Sequence, residues 1–152
     1  MGDVRVRAVT VGVPAAAESS DDLFLKLESF FARLETNLGE HGYEVQTRRL
    51  VLEPANAREG WTRFRLVRHL ESLSRRADGI GVRWLCQPID PWTGWSDEEL
   101  RLASIEVIRR LPNVFLHYRI ATDGVVNTAT LEGVARAILD VARSSRNGFD
   151  NF

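Results

Sequence analysis

Four apolar, β-branched runs alternate with four stretches whose apolar residues recur at helical spacing. The first run is Val4 to Val13, closed by Gly12-Val13-Pro14. A helix follows in which Leu23, Leu27, Phe30, Phe31, Leu34 and Leu38 share one face, with Ser19 or Ser20 at its N-cap and Gly42 near its stop. The second run, Val45 to Leu52, ends at Glu53-Pro54. Polar residues alternate through it, as in a strand buried on one side. A second helix spans about Thr62 to Arg76, with Leu66, Leu70 and Leu73 inward. The third run, Ile80 to Leu85, leads into Cys86-Gln87-Pro88-Ile89-Asp90-Pro91.

The third helix opens on Ser96-Asp97-Glu98-Glu99, a capping box in which serine and glutamate satisfy each other's backbone donors. Leu100, Ala103, Val107, Ile108 and Leu111 form its apolar face, and Pro112-Asn113 stops it. Run four, Val114 to Ile120, passes into Ala121-Thr122-Asp123-Gly124. The last helix covers about Thr128 to Arg143, with Leu131, Val134, Ile138, Val141 and Ala142 inward. Such alternation predicts βαβ crossovers and a parallel sheet covered by helices. Strands are expected near residues 4–12, 45–52, 80–86 and 114–121, all parallel, with helices on one side.

Length and composition narrow this picture. The chain has 152 residues and 44% hydrophobic residues, enough for one domain with a substantial core. Twenty basic and 21 acidic side chains leave a net charge of −1, so neither nucleic acid nor an anionic membrane is implied as a partner. The pairs Arg48-Arg49, Arg75-Arg76 and Arg109-Arg110 are scattered and read as solvated ends. One cysteine, Cys86, permits no internal disulfide. The first residues lack a signal-peptide apolar region and no run reaches membrane-spanning length, so a cytoplasmic location is the default expectation.

Several phrases together resemble domain-of-unknown-function family 711, a bacterial and archaeal family grouped with the pyruvate formate-lyase-like barrels. They are Val6-Arg7-Ala8-Val9-Thr10-Val11-Gly12-Val13, Gly42 to Leu50, Asn113-Val114-Phe115, Ala121 to Asn127, and Asn147-Gly148-Phe149-Asp150-Asn151-Phe152. The resemblance implies a half-barrel of parallel strands that a second half completes, with Gly148 to Phe152 entering a fifth strand. It does not carry over pyruvate formate-lyase chemistry, because neither a glycyl radical site nor the active-site cysteine matches a position here. The expected fold is therefore α/β: parallel βαβ units forming a half-barrel of about four to five strands, helices outside, completed by a second chain or half.

Parallel sheets bind ligands beyond the C-terminal ends of their strands. The polar residues converging there are Glu53, Gln87, Asp90, Thr122, Asp123 and Asn127. Carboxylates at adjacent strand ends can divide acid and base roles or share a metal, whereas Asp123-Gly124 and Asp90-Pro91 also read as simple turns. His117 and Arg119 alternate with Leu116 and Tyr118, so both face away from the helices, toward the lumen if a barrel closes. Arg83, flanked by Val82 and Trp84, likewise puts charge on one face of a central strand. Trp92 and Trp95 bracket a glycine turn and form either an aromatic platform for a substrate or a pair wedged under their own loop. Cys86 is either a strand-end nucleophile or a buried structural thiol, and no neighbouring histidine activates it. No dinucleotide fingerprint, P-loop, metal-ligand cluster or nucleophile elbow occurs, and no cofactor is predicted.

The functional expectation is the N-terminal chain of a two-part barrel enzyme performing acyl transfer or amide hydrolysis. His117, Arg119 and Asp123 are its candidate catalytic residues. Gln87, Asp90, Trp92, Trp95, Glu53, Thr122 and Asn127 are its candidate substrate-binding residues, the substrate being a small and plausibly anionic molecule. Phe149 and Phe152 look like a strand opening, so a companion C-terminal chain is expected, separately encoded or cut from one precursor after Phe152. A self-processing cut would leave a Ser, Thr or Cys nucleophile at the companion's new N-terminus. A noncatalytic scaffold subunit of the same barrel and a self-contained flavodoxin-like domain are the alternatives.

Overall fold

The computed structural model describes residues 4–18, 20–54, 60–90, 94–122, 124–126 and 128–144. The elements run β1 (Arg5–Val6), β2 (Val9–Gly12), α1 (Asp21–Glu40), β3 (Glu44–Val45), β4 (Arg48–Val51), α2 (Arg63–Gly79), β5 (Val82–Ile89), α3 (Asp97–Arg110), β6 (Val114–Tyr118), β7 (Ala121–Thr122), β8 (Val125–Val126) and α4 (Thr128–Ser144). The first two apolar runs are each split in two. β1 pairs with β3 and β2 with β4, and the breaks lie side by side, bridged by the Thr47 hydroxyl donating to the Arg7 carbonyl at 2.7 Å.

The main sheet is parallel with order β2-β4-β5-β6, the order of the chain itself. Unreversed order with right-handed crossovers keeps successive helices on one face, the winding of a barrel half rather than of a doubly wound sheet. Packing agrees. Phe24, Leu27 and Phe31 of α1, Leu66, Leu70 and Leu73 of α2, and Ala103 and Val107 of α3 share one core with Leu50, Leu85 and Val114 of the sheet. The Ser96 hydroxyl caps α3 by accepting from the Glu99 amide at 3.2 Å. Gly42, at φ 77°, takes the left-handed turn after α1 that an L side chain resists.

Several expectations need correction. Phe30 is exposed, and Phe24 takes the inward place beside Phe31. On α4, Val134, Ala137 and Val141 are buried, whereas Leu131 and Ile138 are exposed; its main neighbour is α3, with Val134 also packed on Ile89 of the sheet. The fourth strand ends at Tyr118. Ala121–Thr122 turns back through Gly124 to pair antiparallel with Val125–Val126 in a small hairpin outside the main sheet. β5 extends three residues beyond Cys86 despite Pro88. The reason is directional: Cys86 offers its carbonyl to Leu52 in the chain continuing from β4, and Pro88 shares that orientation after β4 has ended. Its missing N–H therefore faces no strand.

A bulge sits at Arg83. Arg48 pairs with Val82 but Arg49 with Trp84, so one extra residue is absorbed and the alternation of β5 flips. Trp84, not Arg83, thereby joins the helix-free face. Across that face Gly12, Val51, Cys86 and Phe115 stand abreast, and Pro88 and His117 form the next paired row. The Trp84 and Phe115 rings lie 4.8 Å apart. The expected fifth strand at Gly148 to Phe152 lies outside the described residues.

Candidate functional site

The C-terminal ends of β2, β4, β5 and β6 carry a polar rim. Asp90, one residue beyond β5, is buried at 1% exposure, and Arg119, one residue beyond β6, binds its carboxylate. The pair is held in place from the backbone, where the Arg119 amide donates to the Ile89 carbonyl at 3.0 Å. A buried carboxylate demands such partners, because removing one leaves a polar group unsatisfied at a cost of about 1–3 kcal/mol. His117 stands exposed on the helix-free face below this pair, as the alternation Leu116-His117-Tyr118 predicts.

Gln87 points to the core side and is buried. Its amide donates to the Glu53 carbonyl at 2.9 Å and the Pro88 carbonyl at 2.7 Å, so it ties the ends of two strands together. Glu53 itself is exposed at the rim. Trp95 is half-buried and its indole N–H donates to the Trp61 carbonyl at 3.0 Å. Trp92, Asp123 and Asn127 lie outside the described residues, as does the side chain of Thr122. Among the candidates, the structure brings together Asp90 and Arg119 directly, Gln87 and Glu53 through backbone, and His117 by register.

Cys86 shares the helix-free face with His117, diagonal to it across the β5–β6 pair. Burial pushes its thiol pKa up, so it stays protonated and poorly nucleophilic at neutral pH. Arg49 lies on the same face, and its Nε is buried without a hydrogen-bond partner among the described residues. Its neighbour Arg48, which points to the core side, is fully engaged. It grips Glu35 through two 2.7 Å bonds and donates to the Ile80 carbonyl at 2.6 Å. That contact holds the Glu35 carboxyl below its ordinary pKa.

One polar constellation at the rim has no counterpart among the expected site residues. After β2, a 3-10 turn over Ala15–Ala17 carries Glu18 inward to 1% exposure. His69 of α2 meets its carboxylate at 2.8 Å, and the Glu53 amide donates to its other oxygen at 3.4 Å. The partners lie 51 residues apart, and neither sits in a motif. The available signal was weaker: a glutamate in an alanine-rich strand-end loop, and a histidine between Val67 and Leu70 on a buried helix face.

Among the described residues no cluster of His, Cys, Asp and Glu has metal-binding geometry, and no helix is long and apolar enough to cross a membrane. In comparisons with known proteins, the chain matches no family model and no curated protein.

Proposed function

We propose that this chain is one half of a two-part parallel α/β barrel whose rim, at the C-terminal strand ends, binds a small anionic substrate. The observation that carries the reading is the sheet itself. Its strands follow chain order, its helices share one face, and the opposite face bears Trp84 and Phe115 with Arg49 and His117 beside them. A monomeric domain rarely leaves an aromatic sheet face open to water. Barrel closure by a companion half turns that face into a lumen, in keeping with the resemblance to the pyruvate formate-lyase-like barrel group.

The charge pattern supports an anionic ligand. Arg119, more than half exposed at the rim, supplies a guanidinium of the kind that suits carboxylate or phosphate, and Arg49 adds positive charge lower on the same face. His117 adds an exposed imidazole able to donate or accept a hydrogen bond. In this reading His117 and Arg119 contact substrate, Asp90 orients Arg119, and Asp123 is the third proposed catalytic residue. The assigned reaction class is acyl transfer or amide hydrolysis. The protonated state of Cys86 supports a nucleophile on the companion, not on this chain. The same feature favours, as a second reading, a noncatalytic binding half of the same barrel.

The test is native mass spectrometry of the assembly produced from the intact gene locus, followed by amide and ester hydrolysis assays. A one-to-one complex that hydrolyses the probes, and loses turnover in His117→Ala and Arg119→Ala, is the expected outcome. A stable monomer of this chain alone would overturn the barrel reading. A complex without turnover would leave the noncatalytic one.

A further inference from the structure

Glu18 is the most deeply buried carboxylate of the β2–α1 loop, and nothing about core packing calls for it. An ionised side chain at 1% exposure is costly to fold around unless its oxygens are engaged. Here they are engaged by donors from two other segments: His69 Nε2 at 2.8 Å on one oxygen, the Glu53 amide at 3.4 Å on the other. The imidazole is fixed in turn. Its ring stands edge-on to Trp61, with centroids 5.0 Å apart at 80°, and the Trp61 carbonyl is held by the Trp95 indole.

This arrangement decides the tautomer. With Nε2 as donor to the carboxylate, the neutral ring carries its lone pair on Nδ1. Nδ1 has no hydrogen-bond partner among the described residues, and 17% of the His69 side chain reaches solvent. A purely structural histidine tends to spend both nitrogens; this one keeps its basic atom free. The site lies where β2 and β4 end, on the edge at which parallel sheets take ligands. Arg65, one turn earlier on α2, has its guanidinium tied to the Gly60 carbonyl at 3.0 Å, and Arg76 reaches the same β2–α1 loop at the Ser20 carbonyl.

We infer that Glu18 and His69 form a proton-transfer pair, with His69 Nδ1 the general base for a hydroxyl or water held at the ends of β2 and β4, and Glu18 its positioning residue. In the forward step the O–H proton passes to Nδ1 as the oxygen bonds to an acyl carbon of the ligand, and the bond from that carbon to its amine or alcohol leaving group then breaks. The imidazolium keeps its Nε2–H on the Glu18 carboxylate, whose negative charge balances it. The proton then leaves Nδ1 to the departing group, and the pair returns to its starting state. The inference rests on the proposed ligand side of the sheet but not on a companion half, so it stands or falls separately from barrel closure.

The experiment uses the full chain, labelled with nitrogen-15. Imidazole nitrogen shifts report the tautomer, and diethyl pyrocarbonate, followed by peptide mass mapping, reports lone-pair reactivity at His69 against the exposed His41 in the same sample. The expected result is an Nε2–H tautomer at His69 and carbethoxylation at least as fast as at His41. In Glu18→Gln, an amide that can itself donate to Nε2, the tautomer signature reverses and the His69 rate falls by about tenfold or more. An Nδ1–H tautomer in the wild type, or a His69 slower than His41, would overturn the inference. So would a Glu18→Gln chain with both readouts unchanged. If that variant does not fold, the wild-type tautomer and rate ratio decide alone.

Discussion

Trp84 and Phe115 meet ring to ring, 4.8 Å between centroids, on the side of the sheet opposite the described helices. Trp84 stands two residues before Cys86, the partner of Phe115, so both rings face one side, while the bulge at Arg83 lets Val82 still face the core. Trp84→Ala removes an aromatic pair worth about 0.5–1.5 kcal/mol beyond its buried area. In the isolated chain the expected loss is thus modest, about 1–2 kcal/mol by denaturant unfolding. If a companion half covers this face, the same substitution should weaken the association far more, which sedimentation of the two forms would reveal. Equal small losses in both settings would argue that this face stays open.

Arg48 and Glu35 tie α1 to the strand carrying Arg48, and the pair sets a pH dependence of known sign. The folded-state pKa of Glu35 lies below its ordinary value of 4.5, chiefly because Arg48 hydrogen-bonds its carboxylate. Its contribution is therefore present above the unfolded pKa and is lost as pH falls through the lower, folded pKa. Urea midpoints of the wild type should drop, as pH falls from about 4.5 downward, more steeply than those of Glu35→Gln. The variant itself should cost about 1 kcal/mol at pH 7, discounted for the partial exposure of both side chains.

Burial keeps the Cys86 thiol neutral at ordinary pH. Iodoacetamide should label it at least several-fold more slowly than a free cysteine-containing peptide at pH 8, and guanidinium should restore the peptide rate. Labelling as fast in the folded chain as in the unfolded one would return Cys86 to the list of nucleophiles.

Tyr118 donates to the Ser104 hydroxyl at 2.7 Å, and Ser104 donates to the Leu100 carbonyl at 2.6 Å, so a short polar relay joins β6 to α3. Desolvation raises the Tyr118 pKa, with the Ser104 bond opposing it. A raised folded pKa stabilises below the unfolded value and is lost as pH rises above about 10. Tyr118→Phe should cost about 1 kcal/mol at neutral pH and remove part of the alkaline destabilisation. Tyrosinate absorbance in a Tyr43→Phe background follows the group directly.

His117 is exposed, so His117→Ala should shift stability by under about 0.5 kcal/mol. Arg119→Ala strips a guanidinium from buried Asp90 and should cost about 1–3 kcal/mol. If the rim binds an anion, isothermal titration of the assembly with small dicarboxylates should lose affinity about tenfold in each variant. Unchanged affinity in both would remove the rim from the ligand site.

The helices and strands were legible because their periods are strong: Leu66, Leu70 and Leu73 mark the inner face of α2, and Ser96 with Glu99 marks the start of α3. The face of His117 and Arg119 followed from simple alternation in β6. The bulge at Arg83 was not legible, since Val82-Arg83-Trp84 alternates as regularly as an unbroken strand. Nor was the extension of β5 through Pro88, which depends on where the neighbouring strand stops. Glu18 and His69 were missed for a different reason. Their pairing is a tertiary contact across 51 residues, and helix periodicity marks His69 only as a side chain near the core.

The order β2-β4-β5-β6 is also the order in which a ribosome makes them. Each new strand finds its only required neighbour in the strand finished just before it, with one helix in between. Loop closure is then a matter of adjacent units, and early units can consolidate while later ones are still being synthesised. A reversed, doubly wound sheet cannot grow this way, because its central strand must wait for partners on both sides. In this chain the growing edge is always the newest strand, so a stalled or truncated product would expose β5 or β6 as a free template for aggregation.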